Sequence, residues 1–183
     1  MDLKPYLIIV TGRPGSGKTT FAKALGSEIF MPLISRDQIK EGYLQTIGKT
    51  HAELPQDTNK IVTGIFFDTL LGLVDKNVSV IAEAAFQHKV WANMLERFMG
   101  KARINLLICR VSDDVAHDRF MQRRLEDPMR KFFHGDKGVE FNAGSYEEPH
   151  LDLPTLYVDT LGEYKPPIKE LGRTIFSCPG NVS

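Results

Sequence analysis

Cysteine is scarce in this sequence: Cys109 and Cys178 are the only two in 183 residues. Two thiols do not make a disulfide framework, and neither has a second Cys or His at metal-ligand spacing. Cys109 stands inside an apolar run, as a small core residue does. The histidines, His51, His88, His117, His134 and His150, are scattered, with no H-x-x-x-H pair to suggest zinc. An excess of charge of either sign is missing too, because 23 Lys and Arg balance 23 Asp and Glu. That balance argues against a chain whose main work is gripping nucleic acid or an anionic membrane over a wide face. It leaves room for a small, local phosphate pocket. Long hydrophobic runs are also lacking. The most apolar stretch, 61–74, contains Asp68 and two glycines and is too short to span a bilayer. The opening MDLKP leads into a short apolar run without the pattern of a signal peptide. The expectation is a soluble, cytoplasmic protein with no membrane partner.

What is present fits one ordinary globular unit. The chain is 42% hydrophobic with 15 glycines, and at roughly 150 residues per domain it reads as one domain over 1–183. Such a length buries about 70% of the extended chain's surface, enough for a core without staples. Strand patterns fall at 7–11, 32–35, 78–82, 104–111 and 155–159. Most are continuous apolar runs, as in parallel strands covered on both faces. Between them lie helical stripes: Phe21, Leu25 and Ile29; then Ile61, Ile65, Phe66, Thr69, Leu70 and Leu73 on an almost all-round apolar segment; then Val90, Trp91, Met94, Leu95 and Phe98, stopping at Gly100. Strands alternating with helices predict an α/β sheet with right-handed crossovers. Ser35-Arg36-Asp37-Gln38 has the letters of a capping box, and Ser112-Asp113-Asp114 places a cap and two acids at a helix start. The segment 126–154 is polar, glycine-bearing and weakly periodic, which is how a functional lid reads. The lid region is taken as about 123–150, with Arg130, Lys131, Phe132 and Phe133 as the groups that would meet phosphate or pack on closure.

The chemistry is concentrated in Gly12-Arg13-Pro14-Gly15-Ser16-Gly17-Lys18-Thr19, which fits G-x-x-x-x-G-K-[ST] at every fixed position, followed by Thr20. Glycines allow the backbone to curl so that several N–H groups point inward onto an anion, at the positive end of the next helix. Lys18 is placed to reach the β- and γ-phosphates, and the Thr19 hydroxyl to ligate Mg²⁺. An apolar strand precedes the motif and an amphipathic helix follows it, the context it requires. A nucleoside triphosphate with Mg²⁺ is therefore the expected ligand. The guanine reader of GTPases is absent: Asn59-Lys60-Ile61-Val62 lacks the acid, and Asp159-Thr160-Leu161-Gly162 follows the last strand rather than the middle one. The third strand ends in a single acid, Glu83, where mechanical ATPases carry an acidic pair.

On these motifs the chain resembles the small P-loop kinases. Asp118-Arg119-Phe120-Met121-Gln122-Arg123-Arg124 is similar to the lid-entry helix of adenylate kinases. That resemblance implies Arg119 as the platform for adenine and Arg123 or Arg124 as the clamp on the transferring phosphates. The physics agrees, since Arg119 and Arg123 share a helix face and a planar guanidinium suits both tasks. Ser35-Arg36-Asp37 after the second strand resembles the zeta-toxin and chloramphenicol-phosphotransferase branch, which implies Asp37 as the base for an acceptor hydroxyl. An acid in the first turn of a helix is also stabilised by the helix dipole alone. The likeness covers about 5–125 and 151–172 and is absent in the lid. It implies a five-stranded parallel sheet in the order 2-3-1-4-5.

The readings for the acceptor side stay open. Glu83 ends the third strand and is a candidate for a Mg²⁺-bound water or for the acceptor; it departs from the Asp usual at that position. Arg36 and Gln87 are candidates for acceptor contact, each with a plain surface role as the alternative. The expected function is transfer of the ATP γ-phosphoryl group to a hydroxyl of a small molecule. A kinase for a polynucleotide 5′-hydroxyl or a tRNA is the first alternative, disfavoured by the neutral charge. A nucleotide-binding regulatory ATPase with no acceptor is the second.

Overall fold

The computed structural model describes residues 3–126, 132–133 and 146–177. Arg130, Lys131, His134, the lid glycines 135, 138 and 144, and Cys178 lie outside the described residues. Five strands carry the fold: β1 (Tyr6–Thr11), β2 (Leu33–Ser35), β3 (Val80–Glu83), β4 (Arg103–Arg110) and β5 (Thr155–Asp159). They form one parallel sheet in the order β2-β3-β1-β4-β5, as expected. The register pairs Val10 with Glu83 across β1 and β3, and Ser35 with Glu83 across β2 and β3. Those pairings bring the carboxyl ends of the three strands to one level, the edge where ligands bind in open α/β sheets.

Helices cover both faces. α1 (Lys18–Ile29) and the last helix, α6 (Ile168–Ser177), pack on one side, where Phe21, Leu25, Leu171 and Ile175 meet Ile8, Val10 and Leu107 of the sheet. α3 (Thr58–Val74) and α4 (His88–Leu95) cover the other, where Phe66, Phe67, Leu70 and Trp91 meet Leu7, Ile9 and Leu106. Leu7 to Val10 are buried without exception because successive side chains of a central parallel strand face opposite helical layers, both apolar. α2 (Arg36–Ile47) follows β2, and α5 (Asp113–Glu126) follows β4. No helix among the described residues is long and apolar enough to cross a membrane.

Two local expectations are corrected. The stripe read on α3 is rotated: Val62, Phe66, Phe67, Leu70 and Val74 are buried, whereas Ile61 and Ile65 are 38% and 39% exposed. When a helix is apolar nearly all round, its own periodicity does not say which side meets the sheet, and one residue of phase turns the face by 100°. The capping box at Ser35 does not form either. Ser35 is the N-cap of α2, but its hydroxyl makes no capping bond and instead donates to Glu83 Oε2 at 2.7 Å.

Trp91 anchors the α3/α4 layer. It is fully buried, with Phe67 at 5.6 Å and Phe86 at 5.4 Å between ring centroids, and its Nε1 donates to Thr11 Oγ1 at 3.4 Å. The single tryptophan therefore reports on this layer. Phe67→Ala is expected to lower the unfolding free energy by about 3–5 kcal/mol, read as a shift of the urea midpoint by Trp91 fluorescence. Ile65→Ala, on the face that the sequence stripe places inward, should cost less than about 1 kcal/mol. Equal losses at the two positions would contradict the observed face.

Candidate functional site

The site begins where β1 runs out. Thr11 ends the strand, residues 12–17 form the loop, and α1 opens at Lys18. Gly15 and Gly17 have φ of 85° and 78°, the left-handed region that favours glycine. A Cβ on Gly15 would sit 2.1 Å from the carbonyl oxygen of Ala116, so the loop lies directly against the first turn of α5. Gly17 is the N-cap of α1, with no side-chain cap and no acid in the first turn. The free N–H groups and dipole of that helix end therefore face the loop uncompensated, the arrangement that receives a phosphate. Lys18 is 7% exposed at the same helix start. Thr19, one residue on, donates its hydroxyl to Glu83 Oε1 at 3.2 Å.

Glu83 is the junction of the site. It is 1% exposed and accepts from two hydroxyls, Thr19 on the P-loop side and Ser35 at the end of β2. Through Ser35 the same carboxyl group reaches the segment that carries Arg36 and Asp37. Arg36 is mostly buried and donates to Asn59 Oδ1 of α3 at 2.8 Å, with Asp37 Oδ1 at 3.5 Å. Asp37 lies in the first turn of α2 and is about half exposed. Gln87 is the N-cap of α4, on the loop that leaves β3. The donors available for a magnesium ion are hard oxygens, the Thr19 hydroxyl and, one shell further, the Glu83 carboxyl group. That set fits an ion that keeps most of its waters and takes few protein ligands.

On the other side of the loop is a cavity of about 410 Å³, walled by Gly17, Thr20, Arg119, Arg123, Thr160 and Tyr164 among others. Arg119 is held in place by backbone: its Nη2 donates to the carbonyl oxygens of Thr160 at 2.9 Å and Leu161 at 3.2 Å. Thr160 is 5% exposed and ties three elements together. Its hydroxyl donates to Ser16 O of the P-loop at 2.6 Å, its N–H donates to Arg110 O of β4 at 3.3 Å, and Arg119 Nη1 lies 3.4 Å from its hydroxyl. Arg123 donates to Arg119 O and lines the same cavity. Arg124 is not among its lining residues; it turns onto the ring of Phe120 and the sulfur of Met121. Arg13 pairs with Asp113 at the start of α5. Pro14 is exposed at the crest of the loop.

Three positions around the candidate site escape a reading of the sequence. Thr160 sits in the D-x-x-G letters that fail as a GTPase switch; it lines the 410 Å³ cavity beside the P-loop, together with Leu161 and Gly162. Ser35 reads as a helix cap but serves Glu83. Tyr146 lies in the aperiodic stretch, where no pattern marks it. Burial pushes the Cys109 thiol up to about 12, against a smaller opposing effect of Lys18, which suits the small core residue that its apolar run suggests.

This geometry has known counterparts. A protein-family model described as "AAA domain" matches residues 7–137, well over half of the chain. Among solved structures, a Chloroflexus aurantiacus protein provisionally designated a kinase is 23% identical, with a TM-score of 0.72 over 96% of each chain. A Sinorhizobium meliloti gluconokinase is 16% identical, with a TM-score of 0.56 over 96% of this chain and 91% of its own. The Mycobacterium tuberculosis APS kinase in complex with AMPPNP and APS is 13% identical, with a TM-score of 0.61 over 94% and 96%. Among curated proteins no significant match is found. With the P-loop, the sheet order and the family match in agreement, the chain belongs to the AAA domain family and has the fold of the P-loop kinases.

Proposed function

We propose that this protein transfers the γ-phosphoryl group of ATP to a hydroxyl of a small molecule. The observation that carries the reading is Glu83, whose one buried carboxyl group holds the hydroxyl of Thr19 in the nucleotide motif and the hydroxyl of Ser35 beside Asp37. A carboxyl group spanning those two segments fixes the distance between a nucleotide and an acceptor, and phosphoryl transfer is mostly positioning and electrostatics. The fold relatives add weight, since kinases with small acceptors share this sheet.

In the proposed reaction the acceptor oxygen attacks the γ-phosphorus as the bond to the β–γ bridging oxygen breaks. The bridging oxygen leaves with the electron pair as part of ADP, and the acceptor proton passes to Asp37. Lys18 and the α1 N-terminus bear the charge of the β- and γ-phosphates, with Arg123, in the wall of the cavity beside them, as a further cation on that side. Thr19, with Glu83 acting through water, would hold Mg²⁺. When bound, that ion neutralises charge spread over the β- and γ-oxygens. On the base side, the guanidinium of Arg119 has its edge engaged by two carbonyl groups, which leaves its flat face for adenine.

The direct test is to incubate the protein with ATP, Mg²⁺ and hydroxylated metabolites and to detect a phosphorylated product together with ADP by mass spectrometry. ADP with free phosphate as the only products, whatever the acceptor, would favour the regulatory ATPase instead. Asp37→Asn should lower transfer by about 10²–10⁴-fold while ATP affinity stays within about twofold, as measured by calorimetry; unchanged turnover removes Asp37 as the base. Arg119→Ala should weaken ATP binding about tenfold, a loss of roughly 1.4 kcal/mol, with inorganic triphosphate bound as before. Thr160→Val should reproduce that loss in part and Thr160→Ser should restore it, because serine keeps the hydroxyl that reaches Ser16 O. Equal preference for ATP over GTP in wild type and Arg119→Ala would contradict the stacking role.

A further inference from the structure

The end of α1 carries a side chain that the core does not use. Phe30 follows the last residue of the helix and is 95% exposed, with φ of 54° and ψ of 44°. That is the left-handed turn at which helices commonly end, a position that favours glycine and at which a bulky residue is uncommon. Glycine would close the helix at least as well, so neither the turn nor the core accounts for the ring. We propose that Phe30 is the anchor of a two-fold interface between two copies of this chain, the Phe30 of each copy entering the groove between α1 and α6 of the other.

The groove lies beside the ring. It has a volume of about 470 Å³ and is lined by Glu28 and Ile29 of α1 and by Lys169, Gly172, Arg173 and Phe176 of α6, among others. Gly172 is buried, and a Cβ there would stand 3.2 Å from Ile29 Cγ2, so α6 meets α1 closely at the base of the groove. The walls offer apolar contact. Ile29 is half-buried, and Phe176, 46% exposed, packs edge-on against Tyr6 with 5.1 Å between ring centroids. A large aromatic side chain seated in a groove of the partner is the usual form of an interface anchor.

The features of the patch favour a second copy as the occupant. Glu28 is exposed on the α1 side, and Lys169 and Arg173 are exposed on the α6 side. A patch that carries both signs around an apolar centre matches itself under a two-fold rotation, because each contact of i with j is repeated as j with i. The ring and the groove are also neighbours, since Phe30 follows Ile29 of the groove wall, so a single rotation seats both rings. The chain's own residues 178–183 read CPGNVS and carry no acidic or basic side chain to meet those charges.

The patch is remote from the nucleotide motif. α1 has 12 residues and is about 18 Å long at roughly 1.5 Å per residue, and its far end holds Phe30. The interface therefore stands independently of the kinase reading and leaves the ligand edge of the sheet open.

The test is sedimentation velocity on the full chain from about 1 to 100 µM, a range that interfaces of ordinary size reach or exceed in affinity. A concentration-dependent dimer is expected. Phe30→Gly removes the ring and keeps a residue suited to φ of 54°. It should raise the dimer dissociation constant about 30-fold or more, with the circular dichroism spectrum unchanged. Glu28→Arg in one chain, and Lys169→Glu with Arg173→Glu in another, should each weaken self-association. An equimolar mixture of those two chains should associate more tightly than either alone, because each then offers the charge that the other lacks. A chain that is monomeric at every concentration overturns the inference, whether residues 178–183 or a different protein covers the groove. A dimer that Phe30→Gly leaves intact overturns it too, as does a mixture of the charge variants that associates no better than its components.

Discussion

The buried carboxyl group of Glu83 is the constraint around which the active edge of this protein is arranged. It lies at the end of β3, the strand between β2 and β1, and receives one hydroxyl from Ser35 at the end of β2 and one from Thr19 at the start of α1, the helix that follows β1. A carboxyl group that is 1% exposed needs such partners, because an unsatisfied one would be costly in so dry a place. Meeting that need fixes Ser35 and Thr19 relative to each other. The start of α2 is thereby set against the start of α1, and with it the proposed acceptor side against the phosphate side.

A second knot lies on the other flank. Thr160 joins the P-loop, the end of β4 and the guanidinium of Arg119 through one side chain and its own peptide groups. The two knots resemble each other in kind. Each uses a short hydroxyl side chain at the end of a strand to reach across to another segment, and each is nearly sealed from water. Short side chains lose little rotamer freedom on being fixed, which suits groups whose task is to hold others in place.

This division explains what the sequence reveals and what it hides. The sheet, its order and the P-loop are legible because they rest on patterns within one segment: runs of buried residues, glycines at fixed spacing, a strand before and a helix after. The knots rest on pairs 48, 64 and 144 residues apart, and local letters mislead about them. Ser35 has the spacing of a capping box and would cap α2 if Glu83 were not beside it. Thr160 carries a motif from another protein class in the wrong place, so rejecting the motif also sets aside the residue. The face of α3 is ambiguous for a different reason, since an all-round apolar helix has no weak side for a periodicity argument to find. The Arg119 helix was readable because its spacing is local, whereas the turn of Arg124 onto Phe120 depends on which rotamer packs best.

The contact between Gly15 and the carbonyl of Ala116 has a kinetic consequence. With no room for even one methyl group between them, the P-loop is braced against the first turn of α5. The cavity on that side, proposed for the base, therefore has walls that are already shaped among the described residues before a nucleotide arrives. In the proposed reaction, entry on the adenine side is then governed by encounter and orientation, while any slow step in the cycle falls to the acceptor side.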